Sequence, residues 1–353
     1  MIKHTDKTIE LMNHNDALIN KVMYMDSVAY ERMDGESGYT PTPPHFETNS
    51  TYFETLDDCE ISFWYHDSDG VTNKLSYTTD GSNWSDVIDN TPISVPKGGQ
   101  IAFKGNLKSS NQHKAGQFII NGRLNLKGNA LSLIYGDDIE GKTSLIYESI
   151  FQGLFVDCPI VDASEFLLPS TSLTRYCYQN MFRNCKNLTA APQILATSMN
   201  VGSCNQMFYG CSSLKIAPQL LATTLNDDCY GDMFYGCTSL EVAPQLLATT
   251  LPTLGDMKGG CYQGMFQGCT SLTTAPILPA NTLTKCCYQN MFYGCSSLNN
   301  ITMLATTTNA ENCLKNWVRG VAVEGTFYKS QGKSLPSGDN GIPNGWTVID
   351  YTE

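Results

Sequence analysis

Cysteine offers the widest range of chemistry in this sequence, because a thiol can bind a metal, form a disulfide or act as a nucleophile. Thirteen of the 14 cysteines lie between Cys158 and Cys313, and only Cys59 lies outside. Zinc sites need closely spaced cysteine pairs or histidine partners. All five histidines precede the cysteine-rich stretch, namely His4, His14, His45, His66 and His113. The sequence therefore predicts no metal site, no cofactor and no Cys-His catalytic pair.

The cysteines recur at fixed distances from a phenylalanine. One column follows the phenylalanine by three residues and consists of Cys158, Cys185, Cys211, Cys237, Cys269 and Cys295. The other precedes it by four or five residues and consists of Cys177, Cys204, Cys229, Cys261 and Cys287. Equivalent residues of stacked coils lie about 5 Å apart, which leaves disulfides open. Cysteine that repeats as regularly as leucine favours reduced thiols filling one layer of a core.

The stretch GDDIEGKT, Gly136 to Thr143, matches the GxxxxGK[ST] pattern of a phosphate-binding loop. It follows the apolar run ALSLIY, as such a loop follows its strand. Asp137, Asp138 and Glu140 nevertheless place three carboxylates where the backbone would have to surround a phosphate. We therefore expect no nucleotide site here. Because no other catalytic arrangement is evident, we expect a protein that is not an enzyme.

A repeat of about 26 residues positions these cysteines. The repeated phenylalanines are Phe155, Phe182, Phe208, Phe234, Phe266 and Phe292, spaced by 27, 26, 26, 32 and 26 residues. The long interval contains an insertion at residues 252–260. A period of this length indicates a solenoid and lies in the leucine-rich-repeat range. Residues 141–320 are predicted to form that solenoid, because one coil cannot bury its own apolar side and several must stack.

Each repeat is predicted to contain a helical turn and an extended piece. Cys177, Tyr178, Met181, Phe182 and Cys185 are spaced as one stripe of a short helix or of a pair of helical turns. The following segment, LTAAPQI, is expected to be extended, since proline lacks a ladder donor and restricts the residue before it. A return segment, ATSMN, completes the coil.

The first third of the chain favours β-structure. Five runs alternate as strands do between turn residues: CEISFWYH, NKLSYTTD, GQIAFKG, GQFIING and ALSLIYG. They predict a β-sandwich-like domain over residues 51–140. Residues 1–50 are predicted to be a docking segment with a proline-rich linker, and residues 321–353 a C-terminal cap. The expected fold is thus mainly β with short helices, a sandwich-like domain followed by a leucine-rich-repeat solenoid.

Composition excludes two classes of partner. The chain of 353 residues has 22 Lys and Arg against 34 Asp and Glu, a formal charge of −12. Binding a phosphate backbone needs a basic face, so no nucleic-acid partner is expected. No stretch approaches the roughly 20 apolar residues that cross a bilayer, and the N-terminus has no apolar leader. We expect synthesis in a host cytoplasm without membrane insertion.

The repeats resemble the BspA-like leucine-rich repeats of surface proteins of gut Bacteroides and of the phages that infect them. The resemblance is carried by CYGDMFYGCTSLEVAPQLLATTL from Cys229 and by CYQGMFQGCTSLTTAPILPANTL from Cys261. It extends to NALSLIYGDDIEGKTSL before the array and to GVAVEGTFYKSQ and GIPNGWTV after it. The short stretch KVMYMDSVAYERM resembles N-terminal segments of gut-phage virion proteins. The resemblance implies a non-enzymatic role in adhesion or recognition.

Two columns of changing residues predict the ligand surface. The position after the repeat phenylalanine holds Arg183, Tyr209, Tyr235, Gln267 and Tyr293. The position after the repeat leucine holds Thr189, Lys215, Glu241, Thr273 and Asn299. Tyrosines stacked on adjacent coils suit contact with a glycan or a protein, because their rings are amphipathic. The alternative is that both columns only face solvent and are free to vary.

The expected function is that of a phage virion-associated structural and recognition protein. Its N-terminal segment would dock onto other virion proteins, and its repeats would face outward at the virion surface to contact a host or mucosal ligand. The alternative is an exported adhesin of the BspA-like class at the bacterial cell surface. Homo-oligomerisation is left open.

Overall fold

The structure, a computed structural model, describes residues 49–66, 72–109, 113–253 and 259–352. These residues belong to one compact unit, Pro43–Glu353. The predicted docking segment, residues 1–50, lies outside the described residues except for positions 49 and 50. Within the described part of the chain, no helix combines the length and the apolar character needed to cross a membrane.

The chain is mainly β, as predicted, and its strands fall into two regions. Eight strands precede the repeats: β1 Thr51–Thr55, β2 Cys59–Tyr65, β3 Leu75–Thr78, β4 Ser85–Asp86, β5 Ile93–Val95, β6 Gln100–Gly105, β7 Gly116–Asn121 and β8 Leu124–Asn129. Five accompany or follow the repeats: β9 Ile160–Asp162, β10 Phe166–Leu167, β11 Asn300–Met303, β12 Thr326–Lys329 and β13 Thr347–Asp350. Four of the five predicted strands are confirmed as β2, β3, β6 and β7.

The fifth predicted strand, ALSLIYG, is wrong. Its residues form helix α1, Ser132–Tyr135, which ends at Gly136. Ser132, Leu133 and Ile134 are all buried. A short run that is buried on every side looks alike in the sequence whether it forms a strand or a helical turn, and this is why the prediction failed. The Ser132 hydroxyl accepts a hydrogen bond from the Thr51 backbone N–H at 2.8 Å, which ties the helix to β1.

Two sheets face each other across phenylalanine rings. One contains β10, β8, β1, β6, β3 and β4 in that order, with β9 also paired to β8; the other contains β5, β2 and β7. Phe53 on β1 and Phe103 on β6 meet Phe118 on β7 with ring centroids 5.2 and 5.0 Å apart. The alternation of apolar residues along these strands therefore buries one face of each sheet in a shared core.

Residues 177–185, predicted as a short helix or a pair of helical turns, form a run of consecutive turns. Successive N–H groups alternate between two acceptors. Met181 donates within its own coil to the Tyr178 carbonyl (3.1 Å), whereas Phe182 donates to the Met207 carbonyl of the next coil (2.9 Å). An α-helix would direct every N–H to the residue four positions earlier. Of the two predicted alternatives, the helix is wrong, and each coil is hydrogen-bonded to its neighbour through every second residue of these turns.

A left-handed residue at every fourth position prevents the helix. In the first full repeat these residues are Tyr176, Asn180 and Asn184, with φ of 55°, 57° and 58°. Most equivalent positions hold Gly, Asn or Asp, which tolerate positive φ. They are Gly202, Gly210, Asp228, Asp232, Gly236, Gly264, Gly268, Asn290, Gly294, Asn312, Asn316 and Gly320. The predicted apolar stripe is nevertheless buried, since Cys177, Met181, Phe182 and Cys185 have no exposed surface.

The rest of each coil pairs with its neighbours through short parallel bridges. One set joins Asp162 to Ala190, Ile216 to Val242 and Thr274 to Asn300; a second joins Leu168 to Ile194, Ile194 to Leu220 and Leu278 to Met303. A third joins Ser144 to Ser172, Ser172 to Ser198, Ser198 to Thr224 and Thr282 to Thr307. The extended segments predicted around the prolines are thus bridges rather than full strands.

One aromatic column connects the sandwich to the end of the repeats. Phe118 stacks on Phe155 at 5.5 Å, and Phe155 stacks on Phe182 at 5.4 Å. The column continues through Phe208, Phe234, Phe266 and Phe292 at spacings of 5.6 to 5.7 Å. Trp317 and Phe327 then close it. The core is therefore continuous across the domain boundary predicted at residues 140/141, which itself stays a prediction.

Candidate recognition surface

The first predicted ligand column, after each repeat phenylalanine, is half-exposed along the turns. Each of its members follows a buried phenylalanine, because burial along the turn segment runs in pairs: Met181 and Phe182 are buried, and Arg183 and Asn184 are partly exposed. The Tyr209 and Tyr235 rings stack at 4.5 Å with an interplanar angle of 4°. Burial raises the pKa of the Tyr209 phenol, and the adjacent Tyr235 adds to that shift. The structure thus brings these two predicted residues together as a stacked pair, in which the ring faces cover each other and the ring edges remain for solvent.

Cations lie at both ends of this column. The Arg183 guanidinium lies 4.6 Å from the Tyr209 ring centroid, and its Nη1 donates to Gln206 Oε1 at 2.9 Å. At the other end Arg319 lies 5.6 Å from the Tyr293 ring. Cation–π contact holds each guanidinium against a ring. Arg183, Tyr209 and Tyr235 therefore form one stack of planar groups, which we call the tyrosine ladder, and Tyr293 and Arg319 form a separate pair.

The second predicted column, after each repeat leucine, is exposed and lies on the bridged part of the coils. Lys215 and Glu241 form an ion pair with Nζ and Oε1 3.9 Å apart. The Thr189 hydroxyl donates to the Val161 carbonyl at 2.9 Å. Thr273 and Asn299 meet through the backbone, where the Asn299 N–H donates to the Thr273 carbonyl at 2.9 Å. The column is in register, but its exposed side chains form no shared aromatic surface.

The cysteines build the interior. All 14 thiols are free and buried. In one column each Sγ donates to a phenylalanine carbonyl of the preceding coil at 2.9 to 3.1 Å, from Cys185, Cys211, Cys237, Cys269 and Cys295 to Phe155, Phe182, Phe208, Phe234 and Phe266. Burial raises the pKa of the Cys237 thiol to about 12, so the nucleophilic thiolate is suppressed. These geometries suit packing and not catalysis.

The second cysteine column differs from the prediction at one repeat. Cys204 donates its N–H to the Cys229 carbonyl at 3.0 Å, just as Tyr178 donates to the Ser203 carbonyl at 2.8 Å. Cys204 therefore occupies the tyrosine position of its coil, and Ser203 occupies the cysteine position. The sequence contained a sign of this difference. Cys204 precedes its phenylalanine by four residues, whereas the other cysteines of the column precede theirs by five.

The loop that matches a phosphate-binding pattern has another structure. It follows helix α1 rather than a strand. Two of its carboxylates are paired with lysines: Asp137 Oδ2 lies 2.7 Å from Lys104 Nζ, and Asp138 Oδ2 lies 3.3 Å from Lys142 Nζ. The lysine that would contact a phosphate is thus paired with an aspartate of the same loop.

A polar groove beside the first coils was not predicted from the sequence. It has a volume of about 570 Å³, and its lining residues include His66, His113, Lys114 and Arg183. Only Arg183 belongs to a predicted column. The groove unites segments 66, 113–117, 152–157 and 180–184, so no local sequence pattern marks it. Among the described residues, no group of His, Cys, Asp or Glu has a geometry that would hold a metal ion.

Comparison with protein-family models, with curated proteins and with solved structures gave no match to this chain.

Proposed function

We propose that this chain is a non-enzymatic recognition protein, and that its stacked coils form a leucine-rich-repeat solenoid of the BspA-like type. The solenoid assignment is supported by the repeated backbone hydrogen bonds and the phenylalanine column. The recognition role is supported above all by the parallel Tyr209 and Tyr235 rings, half-exposed and 4.5 Å apart. The ligand is a glycan or a protein that lies across the tyrosine ladder.

Rigidity makes the ladder suitable for binding. Tyr209 follows Phe208 and Tyr235 follows Phe234, and both phenylalanines have no exposed surface. Aromatic side chains on a fixed backbone lose little conformational entropy when a ligand binds. The edges of the stacked rings supply apolar contact area, and the phenol hydroxyls supply hydrogen bonds.

The proposed setting is the surface of a phage virion, where residues 1–50 dock the chain to other virion proteins. This setting is supported by the resemblance of the repeats and of KVMYMDSVAYERM. An exported adhesin on the bacterial cell surface is the alternative, since the repeats resemble both classes. In either setting the coils display the same ladder to a ligand outside the cell.

Array binding tests the recognition role. The purified chain is applied to printed glycans and to envelope proteins of gut bacteria, beside a variant with Tyr209→Ala and Tyr235→Ala. We expect the native chain to bind a small set of features and the variant to lose them. The matched control is Tyr328→Ala, a partly buried tyrosine on β12 outside the ladder. Equal binding by native and ladder variant would reject the ladder as the ligand surface.

Proteomics separates the two settings. Peptides of residues 1–50 are sought in purified phage particles and in bacterial outer-membrane fractions. Recovery in particles supports the virion role and assigns docking to that segment. Recovery only in the membrane fraction, behind a cleaved leader, supports the adhesin.

A further inference from the structure

Positive charge is concentrated in the polar groove of a chain whose net charge is −12. Lys114 contributes an ammonium group, Arg183 a guanidinium, and His66 and His113 two imidazoles. The imidazole rings stack on each other at 5.3 Å. Asp157 is the one carboxylate among the described residues that line the groove. The balance of charge favours an anionic occupant.

Lys114 lacks a counter-ion within the described part of the chain. Its Nζ donates to Gln117 Oε1 at 2.9 Å and lies 5.1 Å from the Trp64 ring centroid. Burial lowers the pKa of this ammonium. A partly buried cation without a carboxylate is costly, and an anionic ligand would supply the missing charge.

Arg183 has donors left for a ligand. One terminal nitrogen donates to Gln206 and the guanidinium rests on Tyr209. A guanidinium carries five N–H donors and binds carboxylates through two at once. The opposing charge of Asp157 is partly engaged, since its Oδ1 accepts from Asn184 Nδ2 at 3.0 Å.

Side-chain amides and an imidazole complete the lining. Gln117 donates to the Val156 carbonyl at 3.2 Å, and Gln152 donates to Gln179 Oε1 at 2.6 Å, so both are held in place. His66 Nδ1 and Asn180 Oδ1 are enclosed and have no hydrogen-bond partner among the residues that the structure describes. Fixed amides that both donate and accept match the hydroxyl groups of a sugar, and a volume of about 570 Å³ accommodates a short oligosaccharide.

We propose that the groove binds a carboxylate-bearing oligosaccharide, with Lys114 and Arg183 at the carboxylate and the amides at the hydroxyls. The inference extends the proposed recognition function, because Arg183 belongs to both the tyrosine ladder and the groove. A ligand that spans both would run from the groove along the first coils.

Calorimetric titration of the full chain tests this proposal. The probes are hexagalacturonate and an α2,8-linked sialic acid tetramer, with maltohexaose as the neutral control and acetate as the free carboxylate. The groove variants are Lys114→Gln and Lys114→Arg. The matched control is Lys104→Gln, because Lys104 also lies over a tryptophan, at 4.1 Å from the Trp84 centroid, but outside the groove. Melting temperatures verify that each variant is folded.

We expect at least one acidic oligosaccharide to bind, with a loss of about tenfold in Lys114→Gln and near-native binding in Lys114→Arg and Lys104→Gln. Maltohexaose and acetate should not compete. Absence of binding by both acidic probes at about 1 mM overturns the proposal. So does equal binding by native chain and Lys114→Gln, or full competition by acetate, which indicates a simple anion site. A Tyr235→Ala variant distinguishes failure of the groove proposal from failure of the ladder proposal, because it alters the ladder and leaves Lys114 in place.

Discussion

At the scale of single residues, neighbours in the sequence have opposite roles. Phe234 has no exposed surface and lies between Phe208 and Phe266 in the aromatic column. Tyr235, the next residue, stacks on Tyr209 at the half-exposed surface. Both residues are aromatic and both positions recur with the repeat. Only burial distinguishes the core position from the surface position.

Substituting these two residues by alanine should separate core from surface. Phe234→Ala leaves a cavity between two stacked rings and should lower the free energy of unfolding by about 3–5 kcal/mol. Tyr235→Ala loses one ring contact and should cost less than about 1.5 kcal/mol while weakening ligand binding. Urea denaturation measures both costs. Equal costs would show that the tyrosine column is part of the core.

Asp228 should make the stability of the coils depend on pH. Burial raises the pKa of this carboxyl to about 7 from 3.8, and the nearby Asp232 adds to the shift. The pKa of Asp228 is higher in the folded state than in the unfolded state, so the folded state holds this proton more tightly. The stability that this gives is fully present below about pH 4. It is lost as the pH rises to 7 and above, by up to about 4 kcal/mol.

The Asp228→Asn variant isolates this effect. It keeps a side-chain oxygen that can accept from Asn205 Nδ2, now at 3.1 Å, and asparagine tolerates the positive φ of 54°. We expect the native chain to melt at a lower temperature at pH 8 than at pH 5, and the variant to lose most of that difference. Asp157→Asn, an exposed aspartate with φ of 61°, is the control. An unchanged pH dependence in Asp228→Asn contradicts the assignment.

At the scale of elements, the turn segment depends on backbone conformation more than on side-chain spacing. Gly268 has φ of 75°, and a Cβ built there would be 3.7 Å from Gly236, so space is available. Gly268→Ala should nevertheless cost about 1–2 kcal/mol because of the left-handed conformation alone. Gly268→Asn, the residue type found at Asn184, should cost less. Thermal melting compares the two variants, and equal melting temperatures would mean that φ does not limit the turn.

The elements show which features the sequence could reveal. Apolar alternation over β2 and β7 identified both strands, because one face of each is buried against phenylalanines. The stripe from Cys177 to Cys185 correctly indicated burial but not helix. Its spacing fits both a helix and a run of turns, and only Asn180 and Asn184, at four-residue intervals, distinguish them. Recognising these left-handed positions would have required weighing backbone propensity above hydrophobic period.

Of the two candidate sites, one could be predicted from the sequence and the other could not. The tyrosine ladder could be predicted because each rung, such as Tyr209 and Tyr235, follows a repeat phenylalanine by one residue. The groove could not, because Lys114 and Arg183 are 69 positions apart in the sequence. Only the packing of the first coils on β7 brings them together. Periodicity therefore identifies sites within a repeat and misses sites where the repeat meets another region.

At the scale of the whole molecule, one core links the sandwich to the coils. Phe155 stands at the junction, stacked on Phe118 of β7 and on Phe182 of the first full repeat. Strand β8 also continues the sheet into the coils through parallel pairing with β9 and β10. The two regions should therefore stabilise each other.

The Phe155→Ala variant tests this mutual stabilisation. Loss of the ring should cost about 3–5 kcal/mol and should lower protection on both sides of the junction. Cys59 on β2 and Cys185 in the first full repeat are buried reporters of the two sides. Alkylation followed by peptide mass spectrometry measures their protection in urea. Faster labelling of Cys185 with unchanged Cys59 would contradict a shared core.

Recognition by the tyrosine ladder is tested most directly by flow cytometry, which measures binding of the chain to intact bacterial cells. The native chain is compared with the variant carrying Tyr209→Ala and Tyr235→Ala, after melting experiments show that both are folded. We predict binding by the native chain and a loss of about tenfold or more in the variant, as expected for removal of central aromatic contacts. Undiminished binding by a folded variant would contradict the assignment of recognition to the tyrosine ladder.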